Sequence, residues 1–132
     1  MSVDRTVLVV DDEMVVRAIT ARILKQAGYR VREAASAATA LMLLHSVPKP
    51  DLILTDVRMP GMNGVDLAME VAQVWAGLPV VLMSGHAPPD LPSDLRAAGF
   101  LPKPFDGEAL LRVVDLALNR GNGAACHRFR FA

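Results

Sequence analysis

Short apolar runs alternate with longer stretches of helical period along this chain, and that alternation leaves few folds open to it. Thr6 to Val10, Leu52 to Leu54 and Val80 to Met83 are continuous and rich in β-branched residues. Continuity is what a parallel strand needs when both of its faces are covered, so these three are expected at the centre of a sheet. Tyr29 to Ala34 interleaves two arginines and a glutamate with apolar residues, which suits a half-covered edge strand. Phe100-Leu101 supplies a short fifth run.

Between the runs, Val16, Ile19, Ile23 and Ala27 recur at helical spacing, and Gly28 provides a left-handed stop. Ser36 is placed to cap a second helix carrying Leu41 and Leu44, and Asn63 or Gly64 opens a third with Leu67, Ala68, Val71 and Trp75. The last helix begins at Asp106 and presents Leu110, Val113, Val114 and Ala117. The fourth is stunted. Three prolines between His86 and Pro92 each lack a backbone donor, leaving Ser93 to Ala98 as a short helix with Gly99 as its stop. A β-α-β alternation with right-handed crossovers gives an α/β fold, a parallel sheet with helices on both sides.

A chain of 132 residues, 52% of them apolar, suits a single domain with an ample core. Fourteen basic and fourteen acidic side chains cancel, which argues against a non-specific grip on nucleic acid or an anionic membrane. The longest apolar runs, such as Leu78 to Met83, stop far short of the roughly 20 residues that span a bilayer. No basic start precedes an apolar segment, and the single cysteine, Cys126, has no internal partner. A cytoplasmic location is therefore expected. After Leu118 the composition changes to a linker-like Gly121-Asn122-Gly123 and a basic-aromatic alternation from His127 to Phe131. We read 1–119 as one domain and 120–132 as a peripheral tail.

Ligands of open parallel sheets bind beyond the carboxyl ends of the strands. The residues there are polar. The first run leads into Asp11-Asp12, the third into Asp56, the fourth into Ser84 and the fifth, after Pro102, into Lys103. Each alone has a bland reading: Asp11 or Asp12 as a helix cap, Asp56 as a turn residue, Ser84 as a loop tie, Lys103 as a solvated cation. Together they would crowd three carboxylates at one rim, and crowded carboxylates repel one another and raise their own pKa values. A cation relieves that. Oxygen-only ligands describe magnesium better than zinc, which prefers histidine or cysteine.

At these positions the chain resembles the receiver domain of two-component response regulators, over residues 4 to 119. "LVVDDE" is similar to the family's acidic metal-binding pair, "LTDVRMPGMNG" places Asp56 at the phosphoacceptor, "LMSGH" places Ser84 at the hydroxyl position and "FLPKPF" places Lys103 at the family's lysine. The resemblance implies a doubly wound, flavodoxin-like (βα)5 fold with strand order 2-1-3-4-5, here with a shortened fourth helix. It also implies a reaction: Asp56 takes a phosphoryl group from a histidine kinase or a histidine phosphotransfer protein. Mg2+ would be held by Asp11, Asp12, Asp56 and the main-chain carbonyl of Arg58, with Lys103 and Ser84 contacting the phosphoryl oxygens. Ser84 and Phe100 would form the conformational switch toward a downstream protein, and Lys103-Pro104 is a candidate cis peptide. Self-phosphorylation and slow hydrolysis aside, the implied protein is a signalling domain rather than an enzyme, and dimerisation is compatible with it.

The chain also departs from the family pattern. The interval from Ser84 to Lys103 is short, Ser84 replaces the commoner threonine, and Phe100 lacks the hydroxyl many relatives carry there. Arg58 and His86 flank the expected site, while Gly61 and Gly64 serve the turn after Asp56. The competing readings are an interaction module that never carries phosphate and a hydrolase with an aspartyl nucleophile on the first strand. The first usually shows a broken acidic pocket, and the second usually reads D-x-D where this chain reads Asp-Asp-Glu. Met1 close to the first strand leans toward a free-standing regulator over a piece of a longer one, and the absence of a recognition helix after the last helix argues against DNA binding by this chain alone.

Overall fold

The continuous runs become strands buried on both faces. A computed structural model describes residues 5–46, 48–86, 90–91, 95 and 97–120. Its elements are β1 (Thr6–Val10), α1 (Met14–Gln26), β2 (Arg30–Ala34), α2 (Ala37–Leu43), β3 (Leu52–Asp56), α3 (Gly64–Val74), β4 (Val80–Ser84), β5 (Gly99–Pro102) and α4 (Gly107–Arg120). The five strands pair in parallel in the order β2-β1-β3-β4-β5. Every residue of β1, β3 and β4 is buried, whereas β2 and β5 are the partly exposed edges.

Alternation along the central strands divides the core into two layers. Leu8, Ile53 and Leu82 pack with Leu44, Leu67 and Val71 of the α2/α3 side. Val7, Val9, Leu54, Val81 and Met83 pack with Leu24, Leu110 and Val114 of the α1/α4 side. The sheet is thus covered on both faces, as the sequence predicts.

Local signals set most helix ends. The Ser36 hydroxyl accepts from the Thr39 amide, the Asp106 carboxylate accepts from the Ala109 amide, and Gly28 follows α1 with φ of 101°. Asn63 and Asp66 form a reciprocal capping box at the start of α3. Asn63→Ala is expected to cost about 1 kcal/mol of stability, read as a lower denaturation midpoint at unchanged m-value. The charges on edge strand β2 also have work inside the fold. The Arg32 guanidinium donates to the carbonyls of Leu43, Ser46 and Pro48 and to the Ser46 hydroxyl at 3.0–3.3 Å, satisfying the C-terminal end of α2, whose last turn carries no basic residue.

Two expectations are corrected. The inward face of α1 carries Thr20, Ala21 and Leu24, while Ile19 is 53% exposed and Ala27 is exposed. The true stripe includes a threonine, buried at no hydrogen-bonding cost because its hydroxyl donates to the Val16 carbonyl, and an apolar-only pattern passes over it. Half of the short helix expected over Ser93 to Ala98 lies outside the described residues, but Leu95, Ala97 and Ala98 within it are not helical. Four helices, not five, are present among the described residues. Ala97 packs with the α2/α3 layer and Ala98 with the α1/α4 layer, so successive side chains face opposite ways as in an extended chain. Gly99 accordingly opens β5 instead of ending a helix, and a Cβ there would lie 2.9 Å from Val113 Cγ2, the close approach that lets α4 lie on this strand. The 120–132 tail lies outside the described residues from Gly121 onward. Among the described residues no helix is long and apolar enough to cross a membrane.

Candidate functional site

Strand order brings the polar strand ends together. β1, β3, β4 and β5 are successive neighbours, so Asp11, Asp56, Ser84 and Lys103 leave the same edge of the sheet side by side. Asp11, Asp56 and Lys103 each stand two residues beyond Val9, Leu54 and Leu101 of the α1/α4 layer. Ser84 stands two beyond Leu82, the register partner of Phe100, and both of those belong to the α2/α3 layer. The acids and the lysine therefore share one alternation phase and the hydroxyl has the other.

Lys103 Nζ lies 3.0 Å from Asp11 Oδ2, 3.3 Å from Asp56 Oδ1 and 3.9 Å from Glu13 Oε1. Asp11 is fully buried and Asp56 nearly so, and the Asp12 carboxylate, exposed, completes a triad whose oxygens lie within 4.8 Å of one another. The peptide before Pro104 is cis, as expected. Asp11 Oδ1 accepts from the Glu13 amide at 2.9 Å. Ser84 Oγ accepts from the His86 amide at 3.0 Å, which leaves the hydroxyl proton for another partner. Arg58, in the loop leaving β3, lines with His86 a cavity of about 390 Å³ that also exposes Asp12, Asp56, Ser84 and Lys103. A larger hollow of about 640 Å³ beside it shares Arg58, Ser84 and His86 but shows no carboxylate among its described lining residues, so the charge chemistry belongs to the smaller one. Phe100 is partly buried against the α2/α3 layer.

The electrostatics follow from this packing. Burial pushes the Asp56 carboxyl above its ordinary value; Lys103 opposes that shift, and the charges of Asp11 and Asp12 add to it. Burial alone would lower Lys103, but its hydrogen bond to Asp11 and the charges of Asp11 and Asp56 prevail and hold it above the usual lysine value. The lysine is committed chiefly to Asp11, the nearer partner, so Asp56 gains less from it than the ion pair alone suggests. A carboxyl with a raised folded-state pKa favours folding below the unfolded value, and that contribution is lost as pH rises through the folded value. In EDTA, Asp56→Asn is therefore expected to melt higher than wild type, with a gap that widens as pH climbs from below 4 through the raised Asp56 pKa, about 4 being the ordinary carboxyl range. Melting curves across pH measure this, and a gap that narrows over that range contradicts it.

A carboxylate-oxygen donor set this tight suits a hard divalent cation such as magnesium. The fit rests on donor chemistry: no histidine or cysteine belongs to the group.

Sequence reasoning had not assigned roles to three groups. Glu13 approaches Lys103 from the start of α1. Arg17 donates to the Asp11 carbonyl, and Glu33 holds Arg17. The readable signal was an arginine four residues beyond Glu13, one turn into the helix that follows the acidic pair.

Comparison with known proteins agrees with this geometry. The chain is 34% identical over 122 residues to the transcriptional regulatory protein PdtaR of Mycobacterium tuberculosis, covering 90% of this chain and 59% of that protein. It is 38% identical over 116 residues to the DNA-binding transcriptional regulator NtrC of a Bradyrhizobium species, covering 86% of this chain and 24% of that one. The chain thus spans less than two thirds of these curated relatives. Among solved structures, the chemotaxis protein CheY4 of Vibrio cholerae superposes with a TM-score of 0.78 at 30% identity, covering 86% of this chain and 98% of that one. A receiver domain protein from Methanospirillum hungatei shares the fold with a TM-score of 0.84 at 24% identity, covering 93% and 100%. The profile of the response regulator receiver domain matches residues 7–115, and with sheet order and strand-end chemistry in agreement, this chain belongs to the receiver domain family of two-component signalling.

Proposed function

We propose that Asp56 is the phosphoacceptor of a phosphorelay and that residues 1–119 act as its receiver, with 120–132 as a peripheral tail. The observation that carries this reading is a lysine bridging two buried carboxylates, Asp11 and Asp56, at a cavity of about 390 Å³. An Asp56 carboxylate oxygen would attack the phosphorus of a phosphohistidine on a histidine kinase or phosphotransfer protein. The oxygen–phosphorus bond forms as the nitrogen–phosphorus bond breaks, and the imidazole leaves. Lys103 would pair with one phosphoryl oxygen and Ser84 would donate its free hydroxyl proton to another. Asp11, Asp12, Asp56 and the Arg58 main-chain carbonyl would hold Mg2+, which when bound neutralises charge on the incoming phosphoryl group.

Ser84 and Phe100 stand on the same layer, so a shift of Ser84 toward the phosphoryl group would change the packing of Phe100 beneath it. The resulting surface would signal to a downstream protein in the cytoplasm. Arg58 and His86, at the cavity mouth, would tune partner access and the slow loss of phosphate.

Incubation of the intact chain with acetyl phosphate tests the reading by intact mass. One added phosphoryl group in magnesium and none in EDTA is the expected result. No gain in either condition, where a control receiver gains one, leaves the phosphorylation-independent interaction module as the better reading.

A further inference from the structure

Asp11 is held from four sides. Its amide donates to the Ala34 carbonyl at the end of β2 at 3.1 Å, one carboxylate oxygen accepts from the Glu13 amide and the other from Lys103. The fourth hold is on its carbonyl, which lies just past the end of β1: Arg17 Nη1 donates to it at 2.8 Å. Arg17 is itself fixed, because its Nε donates to Glu33 Oε1 at 3.2 Å and its side chain is only 16% exposed. One guanidinium therefore ties the first turns of α1 and the end of edge strand β2 to the peptide from which the buried carboxylate projects.

Taking Asp11 as a metal ligand, as proposed above, we infer that Arg17 is a positioning residue for magnesium. It acts by fixing the Asp11 main chain and hence the aim of its carboxylate, without touching the ion. A guanidinium suits this task because its planar fork donates in two directions at once, to a carbonyl and to a carboxylate. Partners behind a metal ligand commonly set affinity in this way.

The inference has a distinctive sign. Arg17 is a cation near an acidic site, so its charge alone opposes magnesium, and removing that charge would tighten binding. Removing a positioning contact would weaken it. Titration calorimetry of magnesium chloride into the intact chain, well below the melting temperature in EDTA, separates the two. Arg17→Met, which keeps the aliphatic stem, is expected to bind magnesium about tenfold more weakly than wild type. Arg17→Lys keeps the charge but lacks the fork, and is expected to fall between them. Unchanged or tighter binding by Arg17→Met overturns the inference while leaving Asp56 as phosphoacceptor intact. Should Arg17→Met fail to fold, Arg17→Lys decides: weaker binding supports the inference and wild-type affinity overturns it. A wild-type chain that binds no magnesium refutes the metal reading itself, and the role of Arg17 with it.

Discussion

Asp56→Asn is expected to abolish phosphoryl transfer to this chain, by about a thousandfold or more in rate, as befits the loss of a nucleophile. The amide has nearly the shape of the carboxylate but carries no charge, and its oxygen is a poor nucleophile. It also removes one of three clustered carboxylates, so the proposed cation site is expected to weaken at the same time. The fold itself should persist, since the replacement relieves repulsion from Asp11 and Asp12 in a desolvated position. The two readouts are therefore expected to move in opposite directions, with a higher melting temperature in EDTA and no added phosphoryl mass in acetyl phosphate and magnesium. A mass gain that survives the substitution would move the phosphoacceptor to another residue.

Gly64→Ala is the second large effect, and it acts through the backbone. Gly64 is the first residue of α3, and its amide donates to the Val57 carbonyl at 2.9 Å. A Cβ at Gly64 would collide with the main-chain oxygen of Asp56 and stand 3.0 Å from the Asp56 carbonyl carbon and from Val57 Cα. No flexible side chain is there to yield, so either the end of β3 or the start of α3 must move. Overpacking ordinarily costs about 1–3 kcal/mol, and an immovable backbone neighbour places this case at the top of that range or above. Against a total stability of about 5–15 kcal/mol, a melting temperature lower by roughly 10 °C is expected. Any molecules that do fold should accept phosphate more slowly, because the displaced peptide is the one that bears Asp56, the proposed phosphoacceptor. A wild-type melting temperature for Gly64→Ala would contradict the close approach of α3 to β3.

How much of this was legible in the sequence depended on the range of the physics involved. Burial on two faces writes itself into contiguous residues, so β1, β3 and β4 could be read directly, and with them the polar residues at their ends. Helix caps are also local: Ser36, Asn63 and Asp106 occupy the positions their neighbours predict. The order of the strands is not local and came from the family resemblance, not from periodicity. What escaped were long side chains acting across elements. Arg32 reads as an edge-strand charge and serves the end of α2; Arg17 reads as a helix-surface cation and serves the end of β1. Their partners depend on how a helix lies against the sheet, which no spacing in the chain records. The α1 stripe failed for a related reason, since a threonine that bonds its own helix is as content inside as a leucine.

The alternation phase of the strand ends carries one more consequence. Because Asp11, Asp56 and Lys103 share one alternation phase and Ser84 and Phe100 the other, a charge added at Asp56 as proposed would have to be relayed from one wall of the sandwich to its opposite wall. In the proposed mechanism Ser84 would be the threshold between them. Substitutions among the residues packed around α1 and α4 should then alter how readily the charge is received, while those around α2, α3 and Phe100 alter how loudly it is announced. On that reading the sheet would work as a partition with Ser84 as its door.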